Sequence, residues 1–444
     1  MPVTRIICRL FFLIISVILT SGCSLGFLGE KEQKTRIAGD RVSISSLDKE
    51  LQIDDSLKDT RVSTPYPKVN KRWLQPGGNS SHSMQHLSFG DAPEIIWQVD
   101  IGAGSSGNTV LMASPVVYDS HIFTLDVSGK VRASDIKDGS LIWEFSANQQ
   151  EKDSVFGGAI SAGNGNVFIS LGSGHLICLD VNNGREIWRT SSGSPLRSPA
   201  SYSDDRLFVI TIDNRTIAFS AQNGQRLWLH NGISEKAALL GAASPAIKNN
   251  TVILAYSSGE LYAMKAETGS VFWGDNLGKT RRTAAVTNIA DIRGSPVIDG
   301  GVVLAASHSG RLTALNFQTG RRLWERSIGS TSMPWVAGDF VYLISTNGEV
   351  ICLTRSDGRI KWLTQMQKFK SPKDKEDTIS YVGPVLAGDR LLLASSLGKI
   401  YSISPYTGKV LGETKLGGGF YIAPVVANKM LFLLDDKGVL TAFR

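Results

Sequence analysis

Gly129-Lys130-Val131-Arg132-Ala133-Ser134-Asp135-Ile136-Lys137-Asp138-Gly139-Ser140-Leu141-Ile142-Trp143 sets out a spacing: a turn glycine, a small residue four on, a glycine six further and a tryptophan four beyond it. The same register returns round the chain. Turn residues stand at Gly129, Gly174, Asn214, Gly259, Gly310, Gly348, Gly398 and Gly438, and small residues at Ala133, Cys178, Ala218, Ala263, Ala314, Cys352, Ser402 and Ala442. Second glycines follow at Gly139, Gly184, Gly224, Gly269, Gly320, Gly358 and Gly408. Tryptophans complete the units at Trp143, Trp188, Trp228, Trp273, Trp324 and Trp362, with Gly412 in that place in the seventh.

Each class of position has a physical reason. The first turn needs a residue that tolerates positive φ, which glycine does freely and Asn214 does as the usual substitute. The second glycine sits in Asp-Gly, Asn-Gly and Thr-Gly pairs, which are hairpin signals. Between the turns run short apolar stretches such as His121–Leu125 and Leu207–Ile210, strands by length and composition. Proline precedes or opens another strand at Pro115, Pro199, Pro245, Pro296, Pro334, Pro384 and Pro424, a place where its missing N–H is tolerated. Each unit is therefore four short antiparallel strands. Successive turns are 38 residues apart at the shortest (Gly310 to Gly348) and 51 at the longest (Gly259 to Gly310), the period of propeller blades.

The eighth unit has Gly438 and Ala442 but no following glycine or tryptophan. A strand-like run ahead of the first unit, Glu94-Ile95-Ile96-Trp97-Gln98-Val99, supplies what it lacks. The expected fold is all-β: one eight-bladed β-propeller of four-stranded antiparallel blades over residues 93–444, its last blade completed by an N-terminal strand, which removes the exposed sheet edges. Small residue and indole are expected to pack on one another, with Trp97, Trp143, Trp188, Trp228, Trp273, Trp324 and Trp362 as docking residues. Cys178 and Cys352 hold the same position in units two and six, on opposite sides of the ring. They are too far apart for a disulfide, whose Cα atoms must lie within roughly 7 Å.

Residues 1–22 read as an export signal: Arg5 and Arg9, an apolar run from Leu10 to Leu19, then Thr20-Ser21-Gly22 before Cys23. From 23 to 92 the chain is polar, mixed in charge and poor in aromatics, and it reads as a tether with order beginning near Trp73. A net charge of +7 comes from bases scattered along the chain, apart from the Lys368–Lys375 stretch with its interleaved acids. That is a solvated surface and not a nucleic-acid footprint.

The stretch from Ala314 to Trp324 (Ala-Leu-Asn-Phe-Gln-Thr-Gly-Arg-Arg-Leu-Trp) resembles the tryptophan-docking repeat of two families, the quinoprotein dehydrogenases and the BamB outer-membrane assembly lipoproteins. Cys23 resembles the acylated cysteine of a bacterial lipobox, although the position three before it is Thr20, with Leu19 one place off. Ser24 after it resembles an outer-membrane address. The dehydrogenase family carries a vicinal cysteine pair and clustered calcium ligands. No two cysteines are adjacent here, and single acids such as Asp213, Asp291 and Asp435 form no cluster.

The BamB resemblance implies a non-enzymatic scaffold without cofactor or metal, anchored through Cys23 on the periplasmic face of the outer membrane. It implies binding to BamA through its POTRA domains and to other barrel-assembly components, with unfolded barrel proteins as clients. The family's contact loops match Ala237-Ala238-Leu239-Leu240-Gly241 and Asp291-Ile292-Arg293-Gly294, giving Leu239, Leu240, Asp291, Ile292 and Arg293 as candidate partner-binding residues. Leu240 stands where the family can show a base and Arg293 where an acid can occur. An apolar patch of Leu239, Leu240 and Ile292 rimmed by Arg281, Arg282 and Arg293 would suit a partner; alternatively these aliphatics begin inner strands and are buried. The other readings are a quinone-dependent dehydrogenase and a periplasmic glycan binder using Trp335 or Tyr381. Those two aromatics lie at strand starts, a core position, and His175, His230 and His308 show no metal spacing.

Overall fold

The computed structural model describes residues 51–107, 109–147, 158–196, 198–235, 238–278 and 290–444. Its sheets form eight antiparallel four-stranded blades, seven of them built from consecutive strands. The first blade comprises Val116–Tyr118, His121–Leu125, Lys130–Asp135 and Leu141–Ser146, from the innermost strand outward. Blades two to seven span 158–191, 201–231, 246–276, 297–326, 335–365 and 381–415. In the eighth, Val425–Ala427, Met430–Leu434 and Val439–Phe443 are joined on the outside by Ile95–Asp100, so the closure expected from the repeat is the one observed.

Indole and small residue are cross-strand partners in seven blades: Trp143 faces Ala133, Trp188 Cys178, Trp228 Ala218, Trp273 Ala263, Trp324 Ala314, Trp362 Cys352 and Trp97 Ala442. All seven small residues are fully buried. A larger side chain there would lift the ring out of its seat. Each indole also reaches the next blade. Trp143 Nε1 donates to the Val181 carbonyl at 3.1 Å, and Trp324 Nε1 donates to the Arg355 carbonyl at 2.8 Å. In both cases the acceptor lies three residues before the next blade's second glycine, and the same holds for Trp97, Trp188, Trp228, Trp273 and Trp362.

Those second glycines lie directly beneath the rings. A Cβ on Gly184 would fall 2.5 Å from Trp143, and one on Gly358 2.5 Å from Trp324, both at positive φ. One indole thus joins two blades by a seat, a stack and a hydrogen bond. Burying a tryptophan contributes roughly 4–6 kcal/mol before entropy is counted. Gly412 in the seventh blade now has a cause. Its neighbour, blade eight, has no third-to-outer hairpin because its outer strand comes from residues 95–100, so neither the glycine platform nor the carbonyl acceptor exists there.

The expectation for residues 23–92 needs correction within its described part. Residues 52–92 are packed on the propeller, with Leu57, Val62, Trp73 and Leu87 buried. This strap meets every blade in ring order. The Asn70 carbonyl accepts from Asn428 in blade eight, and Arg72–Trp73 pairs with Tyr118 and Val117 in blade one. The Leu74 carbonyl accepts from Ala162 in blade two, and Gln75 Oε1 accepts from Tyr202 N in blade three. Ser80 and Ser81 accept from Ile247 and Ile298 in blades four and five. The Gln85 carbonyl accepts from Trp335 Nε1 in blade six, and Leu87 exchanges bonds with Leu386 and Gly388 in blade seven.

The reason is backbone satisfaction. Most innermost strands are three residues long and leave N–H groups facing the axis that must find acceptors. A polar, aromatic-poor segment provides them, so its composition resembles a linker. Trp73 stacks on Trp335 at 6.4 Å between centroids and closes this end of the central channel. His82, in the same strap, is buried as a neutral ring: Nδ1 donates to the Pro296 carbonyl at 2.7 Å, and Nε2 accepts from Gln75 at 3.1 Å. Burial lowers its pKa to about 4.

Candidate functional site on the loop face

With one end closed by the strap, the channel is a one-ended cavity of about 1210 Å³ that opens among the connections between blades. Its floor is Trp73 and Trp335, and its mouth includes Met112, Ile212, Leu240 and Tyr421. Ile212, Leu240 and Tyr421 are exposed. Sequence reasoning offered Leu240 and, as a glycan contact, Trp335, and it missed Met112, Ile212 and Tyr421. For Met112 and Tyr421 the signal was available in Pro115 and Pro424, since residues just before the prolines that open inner strands line the mouth; Ile212 lies instead in the turn after the second strand of blade three.

The two candidate loops are joined here. Asp291, buried on the connection into blade five, accepts from the backbone N–H of Leu239 at 2.8 Å through Oδ2. Arg293 Nε donates to the Leu240 carbonyl at 2.9 Å. A carboxylate and a guanidinium from one loop therefore hold the backbone of the other, and Leu240 stands out at 57% exposure. Gly241 then runs against Met112 across the mouth; a Cβ there would lie 2.5 Å from the methionine's terminal carbon.

Leu239 is half-buried and lines the cavity with Leu240 and Arg293. Ile292 corrects the expected patch. It is buried in the core with Ala246, Ile253 and Ile298, because its side chain turns inward beneath the inner strands of blades four and five. Asp291 likewise positions the loop from within and presents no charge to solvent. Ala237, Arg281 and Arg282 lie outside the described residues, as do residues 1–50, including the expected signal and Cys23.

The residues present do not fit a quinone with its calcium ion. Among the described residues no group of three or more His, Cys, Asp and Glu side chains could hold a metal. Cys178 and Cys352 are free, fully buried and on separate blades, and burial pushes the Cys178 thiol up to about 12. Asp213 is held by Thr211, Ser194 and Arg215, and Asp435 caps the turn at Lys437 and Val439. His230 stacks on Tyr256 and contacts its hydroxyl. Trp335 and Tyr381 are buried core residues. Among the described residues no helix is long and apolar enough to cross a membrane.

Fold and site together define a tryptophan-docked eight-bladed propeller with a cavity open on its loop face. Comparison with known proteins identifies its relatives. The chain belongs to the family described as outer membrane protein assembly factor BamB, whose sequence model matches residues 128–364 and 369–444. The outer membrane protein assembly factor BamB of Yersinia pestis is 23% identical over 396 residues, covering 88% of this chain and 94% of that protein. The crystal structure of BamB from Moraxella catarrhalis superposes with a TM-score of 0.67 at 21% identity, over 80% of this chain and all of that one (100%). A quinohemoprotein alcohol dehydrogenase from Comamonas testosteroni superposes with a TM-score of 0.64 at 13% identity, over 84% of this chain and 80% of that one. These two likenesses show a shared fold.

Proposed function

We propose that this protein is a non-enzymatic scaffold of the β-barrel assembly machinery, lipid-anchored through Cys23 on the periplasmic face of the outer membrane. It binds the POTRA domains of BamA through its loop face and assists the folding and insertion of outer-membrane barrel proteins. Family membership supports the assembly role. The observation that carries the site is the pair of loops locked by Asp291 and Arg293, which presents Leu240 on a preset backbone. A rigid aliphatic anchor loses little entropy on docking, and such anchors dominate binding where they enter a desolvated pocket.

Isothermal titration of the mature protein against purified BamA POTRA domains tests this. Leu240→Asp is expected to weaken binding about tenfold or more, with an unchanged denaturation midpoint because the side chain lies on the surface. Absence of binding by the wild type, or equal affinity of Leu240→Asp, refutes the assignment. Co-purification of the anchored protein with no barrel-assembly component would remove the wider role.

A further inference from the structure

The outer strand of blade seven, Val410–Lys415, is exposed at all six residues. Its third residue is Gly412, where the other seven outer strands carry an indole. Nothing in the backbone requires glycine there: the residue does not adopt positive φ, and a Cβ built on it meets no atom within 4 Å. Ser402, opposite, is the one seat residue of the eight that solvent reaches. The notch lies where the molecule sets an indole seven times, but with no glycine platform or carbonyl acceptor on the blade-eight side it is open, and no indole of this chain fills it. Val410 and Leu411 flank it at 48% and 61% exposure.

The molecule also shows how such an edge is covered. On blade six the equivalent of Val410 is Ile360, only 6% exposed, because the N-terminal strap lies alongside it. Asp54 N donates to the Ile360 carbonyl at 2.9 Å, Leu57 is buried, and Lys361 Nζ holds the Leu57 and Lys58 carbonyls. The start of an outer strand of this propeller therefore accepts a chain segment through a backbone bond at Ile360 and the Lys361 clamp, with an aliphatic buried beneath it.

We propose that the free edge of Val410–Lys415 binds an extended polypeptide segment that pairs with it and lays an aromatic side chain over Gly412 into the notch above Ser402. Cross-strand aromatics cover edge glycines in this way. On the strand itself Glu413 is neutralised by Lys399. Lys409 and Lys415, both exposed, bracket it and favour a segment with neutral or acidic flanks. The site is on the outer rim of the ring and goes beyond the loop-face reading, so either can fail without the other.

A fluorescein-labelled peptide of alternating valine and threonine, with a central tryptophan and acidic ends, tests this by polarisation against the mature full chain. The wild type is expected to bind it, and replacing the peptide's tryptophan with alanine is expected to weaken binding about tenfold. Gly412→Trp fills the notch from within and is expected to cause a similar loss, as is Leu411→Asp, an exposed change that spares the fold if the first variant does not. Leu240→Asp is expected to bind like the wild type. No binding by the wild type overturns the proposal. So does undiminished binding by Leu411→Asp, by a folded Gly412→Trp, or by the alanine peptide, as would loss of binding in Leu240→Asp alone.

Discussion

The docking geometry makes a quantitative demand that Gly358→Ala can test. Gly358 has φ +67, and an added Cβ would stand 2.5 Å from Trp324 Cε3. The turn cannot retreat. Trp324 Nε1 is bonded to the Arg355 carbonyl, while Arg326 holds the Gly358 carbonyl at 2.6 Å and the Asp357 carbonyl at 2.7 Å. The left-handed backbone costs an alanine about 1 kcal/mol, and overlap with a clamped ring costs about 1–3 kcal/mol more, giving about 2–4 kcal/mol. In a Trp324→Ala background the ring is gone and only the backbone cost, about 1 kcal/mol, remains. Guanidinium denaturation of the four proteins of this cycle measures the coupling, expected at about 1–3 kcal/mol, as shifts in midpoint at constant slope. If Gly358→Ala costs the same with and without the indole, the glycines are conserving backbone conformation alone and the interblade stack is not what selects them.

Three further outcomes are expected. His82 holds a proton only below about pH 4 when folded, against about 6.5 when unfolded, so its neutral burial stabilises fully above pH 6.5. As pH falls from there toward 4 roughly 3 kcal/mol is lost; His82→Asn should flatten the denaturation midpoint over that range. Cys178 and Cys352 should resist thiol reagents in the native protein and react once it is denatured, as modification of their peptides read by mass spectrometry would show. Asp291→Ala removes the carboxylate that accepts from Leu239 N and should cost about 1–3 kcal/mol. It should also weaken POTRA binding through loop disorder, while Asp291→Asn retains part of both.

Much of the ring was legible because its code is local. A glycine at positive φ, a small seat and an indole fall within one hairpin, so each blade carries in one short stretch the seat and indole of one junction and the glycine platform of the one before it. Even the ring's irregularity was readable: Trp97 ahead of the first unit balanced the outer strand that the eighth unit lacks. The strap was not legible, for a physical reason. Its residues supply acceptors, mostly backbone carbonyls, to strands and turns of all eight blades, and acceptor carbonyls leave no trace in composition. Its polar, aromatic-poor composition therefore read as a tether, although residues 52–92 are bound to the blades. At the loop face, position came through better than exposure. Leu240 and Arg293 line the cavity mouth, while Ile292, next to Arg293, points into the core, a distinction set by the entry angle of an inner strand.

The strap also sets an order of events. Residues 70 to 87 touch all eight blades, and the contact with blade seven joins Leu87 to Leu386. A segment that leaves the ribosome first therefore cannot finish docking until nearly the whole chain has been made. Such long-range closure is slow compared with hairpin formation. The blades can assemble in sequence, each on its predecessor's indole, but the hub is sealed last by the oldest residues. Until then the Trp335 ring and the inner-strand N–H groups stand uncovered, and that interval is when this protein has most need of protection from its own neighbours.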